Sequence, residues 1–233
     1  MDKKKTPSMQ SQAYDFIKQK ITTCEYAPNQ LLSESILQAE LGFSRTPVRE
    51  AIGRLAQEGL LHVFPKRGII VCGISVSDIQ MIFEVRLLIE PYALRKSGGK
   101  LDPDELARFS DSFRHFFDRA GGRVTKALLE ESYELDDQFH LFLISGLQNE
   151  YLFDLYSRIR TQNIRLRIMS GESHDNRIAD TVKEHQQVVS ACLAQDWEAA
   201  AHAMEQHLEC AKRSALETIL NMPGSFIEAV PRL

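Results

Sequence analysis

Ser44-Arg45-Thr46-Pro47-Val48-Arg49-Glu50-Ala51-Ile52-Gly53-Arg54-Leu55 opens a helix and sets its chemistry. Thr46 has an N-cap side chain, and Pro47 follows at a position where the missing N–H costs nothing. Val48, Ile52 and Leu55 recur at helical spacing, and Gly59 is a natural stop. Arg45 and Arg49 are i and i+4, so a helix places them on nearby faces. A guanidinium can fork onto guanine O6 and N7, and the B-DNA major groove admits one helix. Ser44, Thr46 and the helix N-terminus suit phosphate oxygens. The stretch reads as the groove-entering helix of a helix–turn–helix.

The flanks agree. Tyr14, Ile17 and Ile21 mark a helix over residues 11–24, broken by Pro28-Asn29. Ser33 caps a short helix carrying Ile36, Leu37 and Leu41, with Gly42 just past its end. Downstream, the β-prone runs 60–64 and 68–72 are joined by Pro65-Lys66-Arg67-Gly68 as a hairpin. Lys66, Arg67 and Gly68 at its tip form a wing aimed at the DNA backbone or minor groove. Residues 1–9 are polar and basic and are expected to be disordered, so a winged helix–turn–helix spans 10–74.

Leu31-Leu32-Ser33-Glu34, Ser44 through Ile52, and Leu55-Ala56-Gln57-Glu58-Gly59-Leu60 resemble the winged helix–turn–helix of the GntR family of bacterial transcription regulators. Two departures stand out. Cys24 and Asn29 occupy positions where the family usually has Gly, and Gln38 stands where Ala is usual.

After Ser75 the strand signals end. Six helices are expected: 77–96 capped by Ser77, 102–120 opened by an Asp102-Pro103-Asp104-Glu105 capping box and stopped by Gly121-Gly122, 124–145, 150–169, 175–194, and 196–220 capped by Asp196. An irregular tail follows over 221–233. The fold class is mainly α, with an all-α helical bundle at 77–220. Charge divides the same way. Residues 1–75 hold 10 Lys and Arg against 7 Asp and Glu, and the remainder 18 against 25, a net +3 before a net −7. That balance disfavours an architectural protein that coats DNA with its whole surface.

Asp136 and His140 are i and i+4 on one expected helix, so they project from one face a turn apart. Asp137 competes with Asp136, but its i, i+3 spacing fits less well. His185 and His207 fall mid-way along helices separated by 194–196 alone, which makes those helices antiparallel neighbours with the two rings at similar height. Asp plus three His is a donor set for Zn²⁺, Ni²⁺ or another borderline divalent ion. Spacing alone favours a structural polar cluster over a metal site. His62, His115, His174 and His202 read as surface or satisfied core residues.

Asp136-x-x-Phe139-His140, Glu184-His185 with Val188 and Val189, and Ala200, Met204 and His207-Leu208 resemble the FCD sensing domain of the FadR subfamily of GntR regulators. The resemblance implies a helical bundle around a cavity, with a metal held by Asp136, His140, His185 and His207. Zn²⁺ is the first choice, with Ni²⁺ or Mn²⁺ as alternatives. It also implies a small carboxylate-bearing effector, for which Arg86, Arg165 and Arg167 could supply forked hydrogen bonds. Surface or interface salt bridges, with Glu84 or Glu90 for Arg86, are the bland alternative for these arginines.

An enzyme is disfavoured. No HExxH, GxSxG or Gly-rich phosphate loop occurs, and Glu184 sits one residue from His185, about 100° away around a helix. No apolar run is long enough to span a bilayer. Cys24, Cys72, Cys192 and Cys210 form no CxxC pair and read as small, mostly buried, reduced thiols. The expectation is therefore a cytoplasmic, homodimeric, ligand-responsive repressor that binds operator DNA. The same fold without a functional metal site is the alternative, and a metal-dependent hydrolase is a remote one.

Overall fold

A computed structural model describes residues 7–120, 125–170 and 175–221. Of the expected disorder over 1–9, residues 1–6 lie outside the described residues, as do the Gly121-Gly122 stop, the role of His174 and the tail from 222, whereas Ser8 and Met9 instead cap and open the first helix. The chain divides into two compact units between Ser75 and Val76.

The first unit contains α1 (Met9–Thr22), β1 (Leu31–Leu32), α2 (Glu34–Leu41), α3 (Arg45–Gln57), β2 (Leu61–Phe64) and β3 (Gly68–Val71). Ala13, Ile17 and Ile21 form the buried stripe of α1 and pack with Leu37 of α2 and Val48, Ala51, Ile52 and Leu55 of α3. The i, i+4, i+8 spacing of the α1 residues is what makes that stripe. Ser33 Oγ accepts from the Ile36 N–H at 3.3 Å, capping α2, and Gly42 closes it at φ 67°.

Three local expectations change. The N-cap of α3 is Ser44 rather than Thr46, so Pro47 is the third helical residue, still within the first turn whose N–H groups lack helical acceptors. The hairpin β2–β3 gains a third strand, because Leu31 and Leu32 pair with Ile70 and Ile69 and make the order β1-β3-β2. Cys24 and Asn29, where the family resemblance expects Gly, adopt left-handed backbone at φ 57° and 64°. The local fold keeps the glycine conformation without the glycine.

The second unit is helical: α4 (Val76–Ser97), a 3₁₀ turn (Gly98–Lys100), α5 (Pro103–Ala120), α6 (Lys126–Ser145), α7 (Glu150–Ser170), α8 (Asp175–Leu193) and α9 (Trp197–Asn221). α4 begins before Ser77, so Ser77 is not its cap. Asp102 Oδ1 accepts from the Asp104 N–H at 2.9 Å, whereas Glu105 pairs with Arg108 instead of closing a box. Asp196 Oδ1 accepts from the Ala199 N–H at 3.0 Å and caps α9. The core gathers Phe113, Phe116, Phe139, Leu143, Val188, Val189, Met204 and Leu208 from α5, α6, α8 and α9. α4 and α8 both pack on α9, and α5 packs on α8.

None of the four cysteines forms a disulfide among the described residues, and only Cys192 is fully buried, which pushes its thiol up to about 12. Among the described residues no helix is long and apolar enough to cross a membrane.

Candidate metal centre and nucleic-acid interface

Inside the helical unit, α6 supplies Asp136 and His140, α8 supplies His185 and α9 supplies His207. All four are buried, and one donor atom from each lies within 4.8 Å of every other. His185 Nε2 is 3.3 Å from His207 Nε2 and 3.5 Å from Asp136 Oδ1, and His140 Nε2 is 3.8 Å from Asp136 Oδ1. Two donors bound at 2.0–2.1 Å to a tetrahedral Zn²⁺ stand about 3.3 Å apart, so this spacing fits a divalent ion.

The outer contacts orient the donors. Glu90 Oε2 lies 2.6 Å from His140 Nδ1, and Glu184 Oε2 lies 2.8 Å from His207 Nδ1. Each imidazole then donates from Nδ1 and turns its Nε2 lone pair into the cluster. Glu90 also accepts from Arg86 Nε at 2.6 Å and from the Tyr156 hydroxyl at 2.9 Å. Arg177 forks onto both Glu184 oxygens at 2.7 and 2.8 Å. Asp136 divides its oxygens: Oδ1 faces the imidazoles, and Oδ2 accepts from Arg167. His185 is different, because its Nδ1 is buried with no hydrogen-bond partner among the described residues and its ring packs against Phe113 and Phe139.

The charge states suit a cation. Burial would raise the Asp136 carboxyl, but Arg167 and the imidazoles outweigh it and hold the group well below the usual range. Burial would likewise raise Glu90, and the Arg86 charge with the hydrogen bond from His140 brings it down to about 2. Burial first, then the other imidazoles, keeps His185 below its ordinary value. His207 is lowered by burial despite Glu184. Anionic carboxylate and neutral imidazole are the metal-binding forms.

A cavity of about 120 Å³ adjoins the cluster. Phe83, Phe113, Phe116, Leu166 and Val182 are among its apolar walls, and Asp136, His185 and His207 line it with Arg86, Arg167 and Arg177. Of the arginines expected to clamp an effector, Arg86 and Arg167 are there. Arg165 is not: it is fully buried elsewhere and donates to Gln162 Oε1 at 2.7 Å. Asp137, the competitor of Asp136, pairs with Arg160.

On the first unit Ser44, Arg45, Thr46 and Arg49 are exposed along the start of α3, and Lys66 and Arg67 are exposed in the β2–β3 turn. Lys66 takes left-handed backbone at φ 63°, and Gly68 φ 120°, which a Cβ would strain. Added at Gly68, a Cβ would also come within 3.1 Å of Leu32 O.

Residues 9–71 match the model for bacterial regulatory proteins of the gntR family, and residues 81–209 match the FCD domain. This chain belongs to the GntR family. It is a DNA-binding transcriptional regulator with an FCD domain, and its relatives are regulators rather than enzymes. An HTH-type transcriptional regulator in an unstable DNA locus of Streptomyces ambofaciens is 33% identical over 197 residues, covering 82% of this chain and 78% of that protein. The HTH-type transcriptional repressor RspR of Escherichia coli K12 is 28% identical over 204 residues, covering 88% of this chain and 87% of RspR. The solved structure of E. coli McbR/YncC shares the fold, with a TM-score of 0.75 at 19% identity over 93% of this chain and all of that one.

The sequence names Glu90 only as a salt-bridge partner of Arg86, a pairing that occurs but is buried rather than at the surface, and leaves Tyr156, Asn163 and Arg177 of this GntR-family chain unmarked. Arg86 Nη1 donates to Asn163 Oδ1 at 3.0 Å. One signal was available: Arg165 and Arg167 are two apart, about 200° around a helix, so only one could face the cavity. Glu184 was set aside because it points away from His185. It does, and that direction carries it to the far nitrogen of His207.

Proposed function

We propose that this regulator is a ligand-responsive repressor whose helical unit holds a divalent metal at Asp136, His140, His185 and His207 and binds a small carboxylate-bearing effector beside it. The observation that carries the reading is the convergence of three imidazoles and one carboxylate beside a cavity whose wall presents Arg86, Arg167 and Arg177. Zn²⁺ suits the donor set first, with Ni²⁺ or Mn²⁺ as alternatives. When bound, the ion supplies a Lewis-acid anchor for an anionic oxygen.

The chain's own residues do the rest. Arg86, whose Nε and Nη1 are engaged by Glu90 and Asn163, draws a carboxylate by charge, Arg167 reaches it by hydrogen bonding, and the phenylalanines exclude water around its apolar part. Arg86 lies on α4, which follows β3 after residues 72–75 alone. An effector that binds better to one placement of α4 shifts the population of DNA-competent molecules, and only that difference in affinity can do so. On DNA, Arg45 and Arg49 read base edges, while Ser44, Thr46, Lys66, Arg67 and the backbone of Gly68 hold phosphates.

One reading helix covers few base pairs, so a second copy of this chain completes a two-fold operator. Exposed Leu88 and Tyr92 on α4, with Tyr151 and Leu155 on α7, are the apolar surface offered to it. Their sequence neighbours Ile89, Ala93, Leu152 and Tyr156 pack α4 and α7 together. Binding to operator DNA places the protein in the cytoplasm.

Elemental analysis of protein purified without tag or chelator, joined to a thermal-shift screen of small organic acids, tests the reading. About one metal per chain, and an acid that stabilises only the metal-loaded form, is the expected result. No metal, and no shift on adding Zn²⁺, Ni²⁺ or Mn²⁺, would reduce the four residues to a structural polar cluster.

A further inference from the structure

A single carboxylate stands between the two arginines assigned to base reading. Glu34 is the first residue of α2, held at that helix start by the Ser33 cap. Its Oε2 accepts from Arg45 Nε at 2.9 Å and its Oε1 from Arg49 Nε at 3.0 Å. The arginine side chains are 67% and 60% exposed. Exposed ion pairs of this kind add little to stability, and holding two long side chains costs rotamer entropy. Fold stability therefore gives no account of the arrangement.

Its geometry does. A guanidinium has two forked edges, one through Nε and one through its two Nη atoms. Both arginines spend Nε on Glu34 and keep the Nη pair without a partner among the described residues, the fork that matches guanine O6 and N7. The carboxylate also cuts the local charge from two positives to one. A loose pair of arginines would settle on any phosphate; a tethered pair with one charge neutralised is poorer at that and better placed for bases.

We propose that Glu34 is a specificity-determining residue of the DNA-binding unit, positioning Arg45 and Arg49 and suppressing indiscriminate phosphate binding. This rests on the reading of those arginines as base contacts.

The test uses the full chain, a duplex enriched from a random library by the unmodified protein, and a random-sequence duplex of equal length, both titrated across a salt series. Glu34→Gln lowers affinity for the enriched duplex by about tenfold while affinity for random duplex rises, and the random-duplex salt slope steepens by up to about 0.9. Glu34→Asp keeps the charge but falls one methylene short of spanning both arginines. It loses selectivity without the gain on random DNA, and it carries the test should Glu34→Gln misfold. An unchanged ratio between the two duplexes overturns the proposal. So does an equal weakening on both with the salt slope unmoved, the signature of a merely structural residue. Arg45→Ala and Arg49→Ala separate the premise from the inference. If they leave the ratio intact, the base-reading assignment falls; if they abolish it and Glu34→Gln does not, only the role of Glu34 falls.

Discussion

Replacing Asp136 by Asn keeps the shape of the side chain and removes its charge, which separates two contributions. The first is the buried pair with Arg167, present without any metal. Losing one partner of a fully buried ion pair costs about 3–5 kcal/mol. Arg167 keeps about a fifth of its side-chain surface, so solvent screens part of that and about 2–3 kcal/mol is the working figure. The second is metal binding. An ion at a thousandfold excess over its dissociation constant stabilises the native state by about 4 kcal/mol. A unit of this size shifts its melting temperature by roughly 2–4 °C per kcal/mol. Calorimetry at neutral pH on chelator-stripped protein should therefore show Asp136→Asn melting roughly 4–12 °C below the unmodified chain. Added Zn²⁺ should raise the unmodified chain by a further 8–16 °C or so and leave the variant nearly unmoved. An equal Zn²⁺-induced rise in both proteins would refute the assignment of Asp136 as a ligand. No rise in either would refute the metal centre.

Arg49→Ala should weaken binding to a selected duplex by about 1–3 kcal/mol and random DNA much less, read by fluorescence anisotropy; equal losses would make Arg49 a phosphate contact. Leu88→Glu puts a charge into the exposed α4–α7 apolar surface and should shift the chain toward monomer in light scattering, with its helix content by circular dichroism unchanged. Gly98→Ala would bring a Cβ to 2.2 Å from Trp197 Cε3, so the ring must move; denaturant unfolding should show a loss of about 1–3 kcal/mol, and a neutral result would mean the indole swings aside freely.

The parts of the fold that could be read from the sequence are those set by neighbours along the chain. Caps at Ser33 and Asp196, the stripe Ile17–Ile21 and the left-handed demand at Gly42 and Gly59 all act within a turn or two. β1 was missed because two residues carry no alternation, and it exists only because β3 lies beside it. The start of α3 was misplaced by two residues since Ser44 and Thr46 are both good caps and Pro47 tolerates either frame. At the candidate site, Asp136 and His140 follow from helical spacing, and His185 with His207 from a short connection between helices. Glu90 of α4 reaches His140 of α6 across 50 residues of sequence, and Tyr156 and Asn163 of α7 meet Glu90 and Arg86 across 66 and 77. Nothing local marks Tyr156 or Asn163, and Glu90 is marked only by its i, i+4 spacing from Arg86.

The divided aspartate has a consequence for how such a sensor would answer the cell. One oxygen of Asp136 faces the imidazoles and the other belongs to Arg167, itself on the cavity wall. An anion that draws on Arg167 therefore alters the basicity of a metal donor, and the ion alters the guanidinium in return. Thermodynamic reciprocity makes the two factors equal: by whatever ratio the acid tightens the ion, the ion tightens the acid. In the proposed site the regulator then reports a product of two concentrations, and metal starvation in the cell would dull its response to a metabolite whose own level had not changed.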